Sequence, residues 1–231
     1  MTKIKTFPVF SIPLTFVNFG AEAAELNREL VKDSYTEFEQ HPVTTKRSAI
    51  GGWQSDIGLE NKYNSFSLLR DSIKKCIHSI LPSYGFTLEN YDEKLSCDSL
   101  WVNILTSRSS YHMPHIHGTG QTILSGVYYP TSGLTPDGED YYKDEDYDDV
   151  EMRASTRPES GDIVFFDPSS SEKRQVIPEY VNRFPYYGSE LCIRPKHSQL
   201  VIFPNYLTHM VAPITLDNFH RMSISFNFGK I

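Results

Sequence analysis

Eight consecutive residues near the end of the chain, Arg221 to Phe228, alternate without a break between polar and apolar side chains. In an extended strand Arg221, Ser223, Ser225 and Asn227 fall on one face, and Met222, Ile224, Phe226 and Phe228 on the other. A helix would scatter both sets around its circumference, so the segment reads as a strand between an apolar layer and a polar one. Period-two runs recur at Leu100–Leu105, Thr122–Tyr129, Asp162–Phe166 and Leu200–Phe203, separated by Gly, Pro, Ser and Asp clusters. The second part of the chain therefore reads as an antiparallel β core.

Upstream the period is helical. Phe66, Leu69, Ile73, Ile77 and Ile80 recur at three- and four-residue steps and predict a helix from Asn64 to Leu81. Asn64 or Ser65 is the expected N-cap, and Pro82 with Gly85 ends the helix. A more polar helix is expected from Ala21 to about Glu39, with Leu26, Leu30 and Val31 on one side. No repeat or low-complexity linker divides the 231 residues, which suit one domain. Residues 1–99 are its helical support and residues 100–231 its β core, interrupted by long connections at 130–160 and 168–195. The class is mainly β with flanking helices.

The start of the chain imitates a signal peptide. Lys3 and Lys5 precede an apolar run from Phe7 to Phe19, and Ala21-Glu22-Ala23 resembles a cleavage site. Pro8 and Pro13 interrupt the run and it is too short to span a bilayer, so an N-terminal strand is expected instead. Cys76, Cys97 and Cys192 are odd in number and widely spaced, with no Cys-x-x-Cys pair. They encode neither a zinc ribbon nor a disulfide framework and fit a reducing, cytoplasmic setting. A formal charge of −7 counts against non-specific nucleic-acid binding, and no segment is fit for a membrane. Asp144–Asp149, within the acidic stretch 137–151, reads either as a solvated loop or as a wall that attracts a cationic or polar group.

The sharpest local signal is His115-Ile116-His117. Two residues apart in extended backbone, both imidazoles can reach one ion, and His209 is a distant third candidate at the end of the run Leu200–Pro204. Three protein ligands leave coordination positions open for catalysis. Twelve residues after His209, Arg221 opens the alternating strand, on the face that would look into a barrel. A buried guanidinium is costly unless an anion pairs with it, and its fork grips a carboxylate through two charge-assisted bonds, to which Ser223 can add a donor. The combination predicts a small dicarboxylic co-substrate between the metal and Arg221. His41, His78 and His197 read as surface or hydrogen-bonded histidines.

Several stretches resemble a group of 2-oxoglutarate/Fe(II) oxygenases of marine bacteria and their phages. These are Phe7-Pro8-Val9, Gly52-Trp53-Gln54-Ser55, Trp101-Val102-Asn103, His115-Ile116-His117, Leu124–Tyr129, Phe203-Pro204, His209 with Val211 and Pro213, and Arg221–Asn227. More distantly the chain is similar to prolyl hydroxylases. The resemblance implies a double-stranded β-helix (a jelly-roll), Fe(II), O2, and 2-oxoglutarate consumed to succinate and carbon dioxide during hydroxylation. By position it implies His115, His117 and His209 as metal ligands, Arg221 with Ser223 on the far carboxylate of 2-oxoglutarate, and Tyr129 and Asn103 lining that pocket. The wider superfamily has Asp or Glu where this chain has His117, so His112 or Asp167 stays open as the third ligand. A peptide side chain or a small polar metabolite is the expected substrate. Two other readings remain: a cupin-type metal dioxygenase, whose motifs His115, His117, Gln121, Pro204 and His209 imitate, and a non-catalytic metal-containing interaction protein. Arg221-x-Ser223 separates the first of these, because a cupin has no use for it.

Overall fold

The computed structural model describes residues 11–45, 47–86, 95–97, 99–117, 121–135, 152–153, 158–169 and 189–230. Most of the two long connections, with Asp144–Asp149, and the first residues of the run from Phe7 lie outside the described residues.

Two antiparallel sheets face each other. The first runs β1 (Thr15–Asn18), β11 (Gln199–Pro204), β7 (Thr122–Tyr129), β13 (Arg221–Lys230), β5 (Trp101–Leu105) and β3 (Trp53–Gln54), with β4 (Leu95–Ser96) also beside β13. The second runs β2 (Ala49–Ile50), β6 (Tyr111–His115), β12 (His209–Val211), β9 (Ile163–Phe166), β10 (Glu190–Ile193) and β8 (Met152–Arg153). Most neighbours are far apart in sequence, as in a double-stranded β-helix, where the chain passes back and forth between two sheets. The front of the chain is more than helical support, since β1, β2, β3 and β4 extend both sheets.

Two helices, α1 (Ala24–Gln40) and α2 (Asn64–Ile80), cover the outer face of the first sheet. The alternation within each strand decides which layer a side chain joins. Met222, Ile224, Phe226 and Phe228 of β13 pack with Val102, Ile104, Leu124, Tyr128, Leu200 and Ile202 against Leu30 of α1 and Phe66, Leu69, Ile73 and Ile77 of α2. The opposite parity, Val127, Tyr129, Val201 and Phe203, turns between the sheets to meet Ile163, Phe165 and Ile193. Each large apolar side chain removed from water in these layers contributes about 1.5–3 kcal/mol.

Two details depart from the sequence reading. The N-cap of α2 is Tyr63, in extended backbone and without a side-chain cap. Asn64 is already helical, and Ser65 donates instead to Asp33 Oδ2 on α1 at 2.6 Å, so a helix–helix bond replaces the cap. The buried face of α1 is largely polar: besides Leu30 it holds Asn27, Ser34 and Glu37, while Leu26 and Val31 are only partly buried. Asn27 donates to Ser198 Oγ at 2.8 Å and accepts from Tyr128 Oη at 2.6 Å, which ties the helix to the sheet without leaving a buried polar group unpaired.

Candidate functional site

The site lies where the ends of β6 and β12 meet the polar face of β13. His115 closes β6 and His209 opens β12, and the two stand opposite each other in register. His117 lies two residues beyond β6, where its backbone N–H donates to Asn205 O at 2.9 Å. Ring centroids are 4.4 Å apart for His115 and His209, 5.1 Å for His117 and His209, and 5.4 Å for His115 and His117. One nitrogen from each ring lies within 4.8 Å of the other two. Phe203 at 4.7 Å and Phe165 at 5.8 Å wall in the His209 ring, and Trp101 lies 5.8 Å from His117.

The hydrogen bonds behind the rings fix their chemistry. His115 Nδ1 bonds Met113 O at 2.7 Å, His209 Nδ1 bonds Leu207 O at 3.0 Å, and His117 Nδ1 bonds Asn227 Oδ1 at 2.7 Å. All three partners are carbonyl oxygens that only accept, so each Nδ1 carries the proton and each Nε2 keeps a free lone pair. Ser125 Oγ donates to the same Asn227 oxygen at 2.9 Å and holds the amide in that orientation. Burial lowers the proton affinity of every ring: His117 is pushed down to about 4, His115 falls below the usual histidine value and His209 well below it, with neighbouring imidazoles adding to the effect at His117 and His209. Three neutral, oriented nitrogen donors suit a divalent transition metal such as Fe(II), and the outer partners hold the tautomers a metal needs. Neither His112 nor Asp167 joins this cluster; Asp167 accepts instead from the Ser169 N–H and hydroxyl, at 2.9 and 2.8 Å.

Arg221 is buried and points between the sheets, as the alternation of its strand requires. Its Nε donates to Gly161 O at 2.8 Å, one terminal nitrogen to Ser223 Oγ at 3.1 Å, and the other to Tyr129 Oη at 3.1 Å. Gly161 has φ near +75°, where a β-carbon is strained, and one built there would also press the Arg221 side chain at 3.2 Å. The three acceptors are all neutral, and among the described residues no carboxylate pairs with the guanidinium. Asn103 joins the same polar layer, accepting from Gln54 Nε2 at 2.7 Å and donating to Ser225 Oγ at 2.9 Å. A cavity of about 760 Å³ runs along this layer, with Gln54, Trp101, Asn103, His112, His115, His117, Ser225 and Asn227 in its wall and Arg47 over the Trp101 ring at 5.7 Å.

Thus His115, His117 and His209 come together, and Arg221, Ser223 and Tyr129 form a second, adjoining group with Asn103 beside it. The sequence reading assigned no role to Asn227 or Gln54, and it offered His112 only as a metal ligand. Asn227 was discoverable, since it shares the polar face of the strand that Arg221 opens. His112 was not, because a residue three before His115 belongs on the other face of a regular strand. Three residues of β12, from His209 to Val211, stand opposite four of β6, from His115 to His112, and this bulge turns both histidines inward. His112 is buried, its Nδ1 lies 3.1 Å from Ser48 Oγ, and its Nε2 has no partner among the described residues. Burial and then the charge of Arg221 push it down to about 3, so it is neutral.

Among solved structures the chain is similar to a prolyl-4-hydroxylase of Pseudomonas putida, with 13% identity and a TM-score of 0.59 over 96% of this chain and 94% of that one. A prolyl hydroxylase of Trichoplax adhaerens, solved with a peptide fragment of the oxygen degradation domain of hypoxia inducible factor, matches with 12% identity and a TM-score of 0.54 over 94% and 83% of the two chains. HygX of Streptomyces hygroscopicus, solved with nickel, 2-oxoglutarate and hygromycin B, matches with 10% identity and a TM-score of 0.53 over 95% and 83%. At such identities these likenesses speak for the fold. No curated protein matches the chain in sequence. A sequence-family model described as "Putative 2OG-Fe(II) oxygenase" matches residues 99–227, more than half of the chain.

Proposed function

This chain belongs to the 2OG-Fe(II) oxygenase family, non-haem iron enzymes whose cofactors are Fe(II) and 2-oxoglutarate, and from that premise we propose that it hydroxylates a peptide side chain or small polar metabolite with release of succinate and carbon dioxide. The observation that carries the reading is a pairing within one polar layer. Three imidazoles aim unprotonated Nε2 atoms at a common point, and a buried arginine lacking an anionic partner adjoins them.

In this reading His115, His117 and His209 hold Fe(II). When bound, the iron supplies oxygen activation coupled to the oxidative decarboxylation of 2-oxoglutarate. Arg221 grips the far carboxylate of the co-substrate, with the Ser223 and Tyr129 hydroxyls keeping the guanidinium aimed. Asn103, held by Gln54 and Ser225, lines the pocket and offers amide polarity beside it. Phe165 and Phe203 exclude water from behind the metal ligands, which strengthens every polar contact within the site. A third histidine in place of a carboxylate leaves the loaded site one unit more positive and so favours anionic ligands there.

The substrate class rests on the cavity, which is of a size for one side chain or a small molecule and presents hydroxyls and amides rather than a basic groove. The fold relatives solved with a peptide and with hygromycin B span the same range. Nucleic acid is not an expected partner. We further take residues 1–231 as a single oxygenase domain, because β1 to β4 complete sheets whose other strands come from the rest of the chain. No helix of the described residues is long and apolar enough to cross a membrane, and three widely spaced cysteines with no Cys-x-x-Cys pair favour a cytoplasmic setting.

The test is anaerobic loading with Fe(II), then 2-oxoglutarate and oxygen, with succinate measured against a panel of peptides and polar metabolites. Succinate formation with a matched product heavier by one oxygen atom is expected. Failure to form succinate with or without substrate would remove the proposed activity.

A further inference from the structure

We propose that His112 is a co-substrate-binding residue, donating a hydrogen bond from Nε2 to a carboxylate oxygen of 2-oxoglutarate. The proposal rests on the reading of Arg221 given above. An unpartnered buried polar atom is uncommon because its lost hydration is uncompensated. His112 Nε2 is such an atom, in a residue 5% exposed that forms part of the cavity wall. Its ring centroid is 6.3 Å from that of His115, and the Arg221 guanidinium is near enough to influence it. The imidazole therefore neighbours both the histidine cluster and Arg221.

The proton inventory decides which way this bond runs. Among the described residues Ser48 Oγ is the one group bonded to Nδ1, at 3.1 Å, and a hydroxyl can donate to it. With Ser48 donating, Nδ1 is the acceptor and the imidazole proton sits on Nε2, a buried donor left to be satisfied by an anion. The opposite tautomer would aim a lone pair at the same anion, which is repulsive. Ser48 is itself anchored, since its carbonyl accepts from the Met113 N–H at 3.0 Å at the junction of β2 and β6. The bulge in β6 thus has a chemical consequence: it delivers a neutral donor beside a cationic one, so a single carboxylate group can satisfy both. No proton moves and no charge forms at His112.

The experiment uses full-length protein loaded anaerobically with Fe(II). Titration with 2-oxoglutarate is followed by calorimetry and by the visible charge-transfer absorbance of the iron chelate. His112→Leu keeps the bulk and removes the donor, and it should weaken 2-oxoglutarate binding roughly tenfold to a hundredfold, the range for a lost bond to a charged acceptor. Its Fe(II) affinity should stay within about threefold. His112→Gln places an amide N–H near the same position and should recover most of the loss, which a purely structural role would not predict. A folded His112→Leu that binds 2-oxoglutarate like the parent overturns the assignment. Arg221→Met separates the two levels of the argument. If it too leaves binding unchanged, the underlying co-substrate site is wrong; if it weakens binding while His112→Leu does not, only the role of His112 falls. Should His112→Leu fail to fold, nitrogen-15 spectra of the Zn(II)-loaded parent decide instead. The His112 proton should sit on Nε2 and its resonance should shift when 2-oxoglutarate is added; a proton on Nδ1, or an unmoved signal, overturns the proposal.

Discussion

Replacing Arg221 with Met should separate ligand binding from folding more cleanly than any other single change. The guanidinium makes three hydrogen bonds, to Gly161 O, Ser223 Oγ and Tyr129 Oη. At about 1 kcal/mol net for each, their loss destabilises the ligand-free protein by about 3 kcal/mol. Against this, a residue only 2% exposed carries a full charge with no anionic partner among the described residues, and removing such a charge relieves a desolvation penalty of several kcal/mol. A flexible thioether also fills much of the vacated volume. The two effects nearly cancel, so the ligand-free variant should lie within about 2 kcal/mol of the parent, in either direction. Binding has no such compensation. The co-substrate carboxylate loses its charged partner, at about 2–5 kcal/mol, or about 30-fold to several thousandfold in affinity. Urea denaturation of the metal-free protein and calorimetric titration of 2-oxoglutarate into the Mn(II)-loaded protein measure the two quantities separately. Unchanged affinity in a folded variant would refute the assignment of Arg221. A stability loss well above 4 kcal/mol with affinity intact would make the residue a structural keystone instead.

Asn227→Leu removes the acceptor of His117 Nδ1 and should weaken metal binding about 10- to 100-fold by competition titration, with little change in fold; unaltered affinity would show that the tautomer needs no such support. His117→Ala should lose far more, and full occupancy in metal analysis would take His117 out of the ligand set. Acid should destabilise the metal-free protein through the same ring. Its folded value lies near 4, below the ordinary 6.5, so the unfolded chain binds the extra proton first; the stabilisation is complete above pH 6.5 and fades by about 3 kcal/mol as pH falls towards 4. The difference between parent and His117→Gln in urea melts across that window isolates this effect, and parallel curves would contradict it. Gly126→Ala should cost about 1–3 kcal/mol in the same assay, because its β-carbon would fall 2.3 Å from the Phe226 ring and 2.6 Å from Val201 O; a neutral result would mean the three central strands can part more easily than their packing implies.

The unbroken alternation from Arg221 to Phe228 and the 3.6-residue spacing from Phe66 to Ile77 were legible without coordinates, because each expresses a local backbone geometry that sorts side chains by position alone. The same geometry made His115 and His117 a pair, and the apolar parity of the last strand placed Arg221 on the polar layer before its surroundings were known. Assigning that layer to an iron and 2-oxoglutarate site came from resemblance, since spacing does not distinguish one metal enzyme from another. Other features depend on partners far along the chain. The buried polar stripe of α1 makes sense only once Asn27 meets Tyr128 and Ser198, more than one hundred residues away. The cap expected at Asn64 or Ser65 gave way because Asp33 offered Ser65 a closer partner. Tyr129 and Gly161 became the supports of Arg221 through strand order, which the strand patterns leave open. His112 shows the limit most clearly. Whether a residue faces inward is set by parity only while a strand stays in register, and register belongs to a pair of strands, so the bulge opposite β12 exists in neither segment alone.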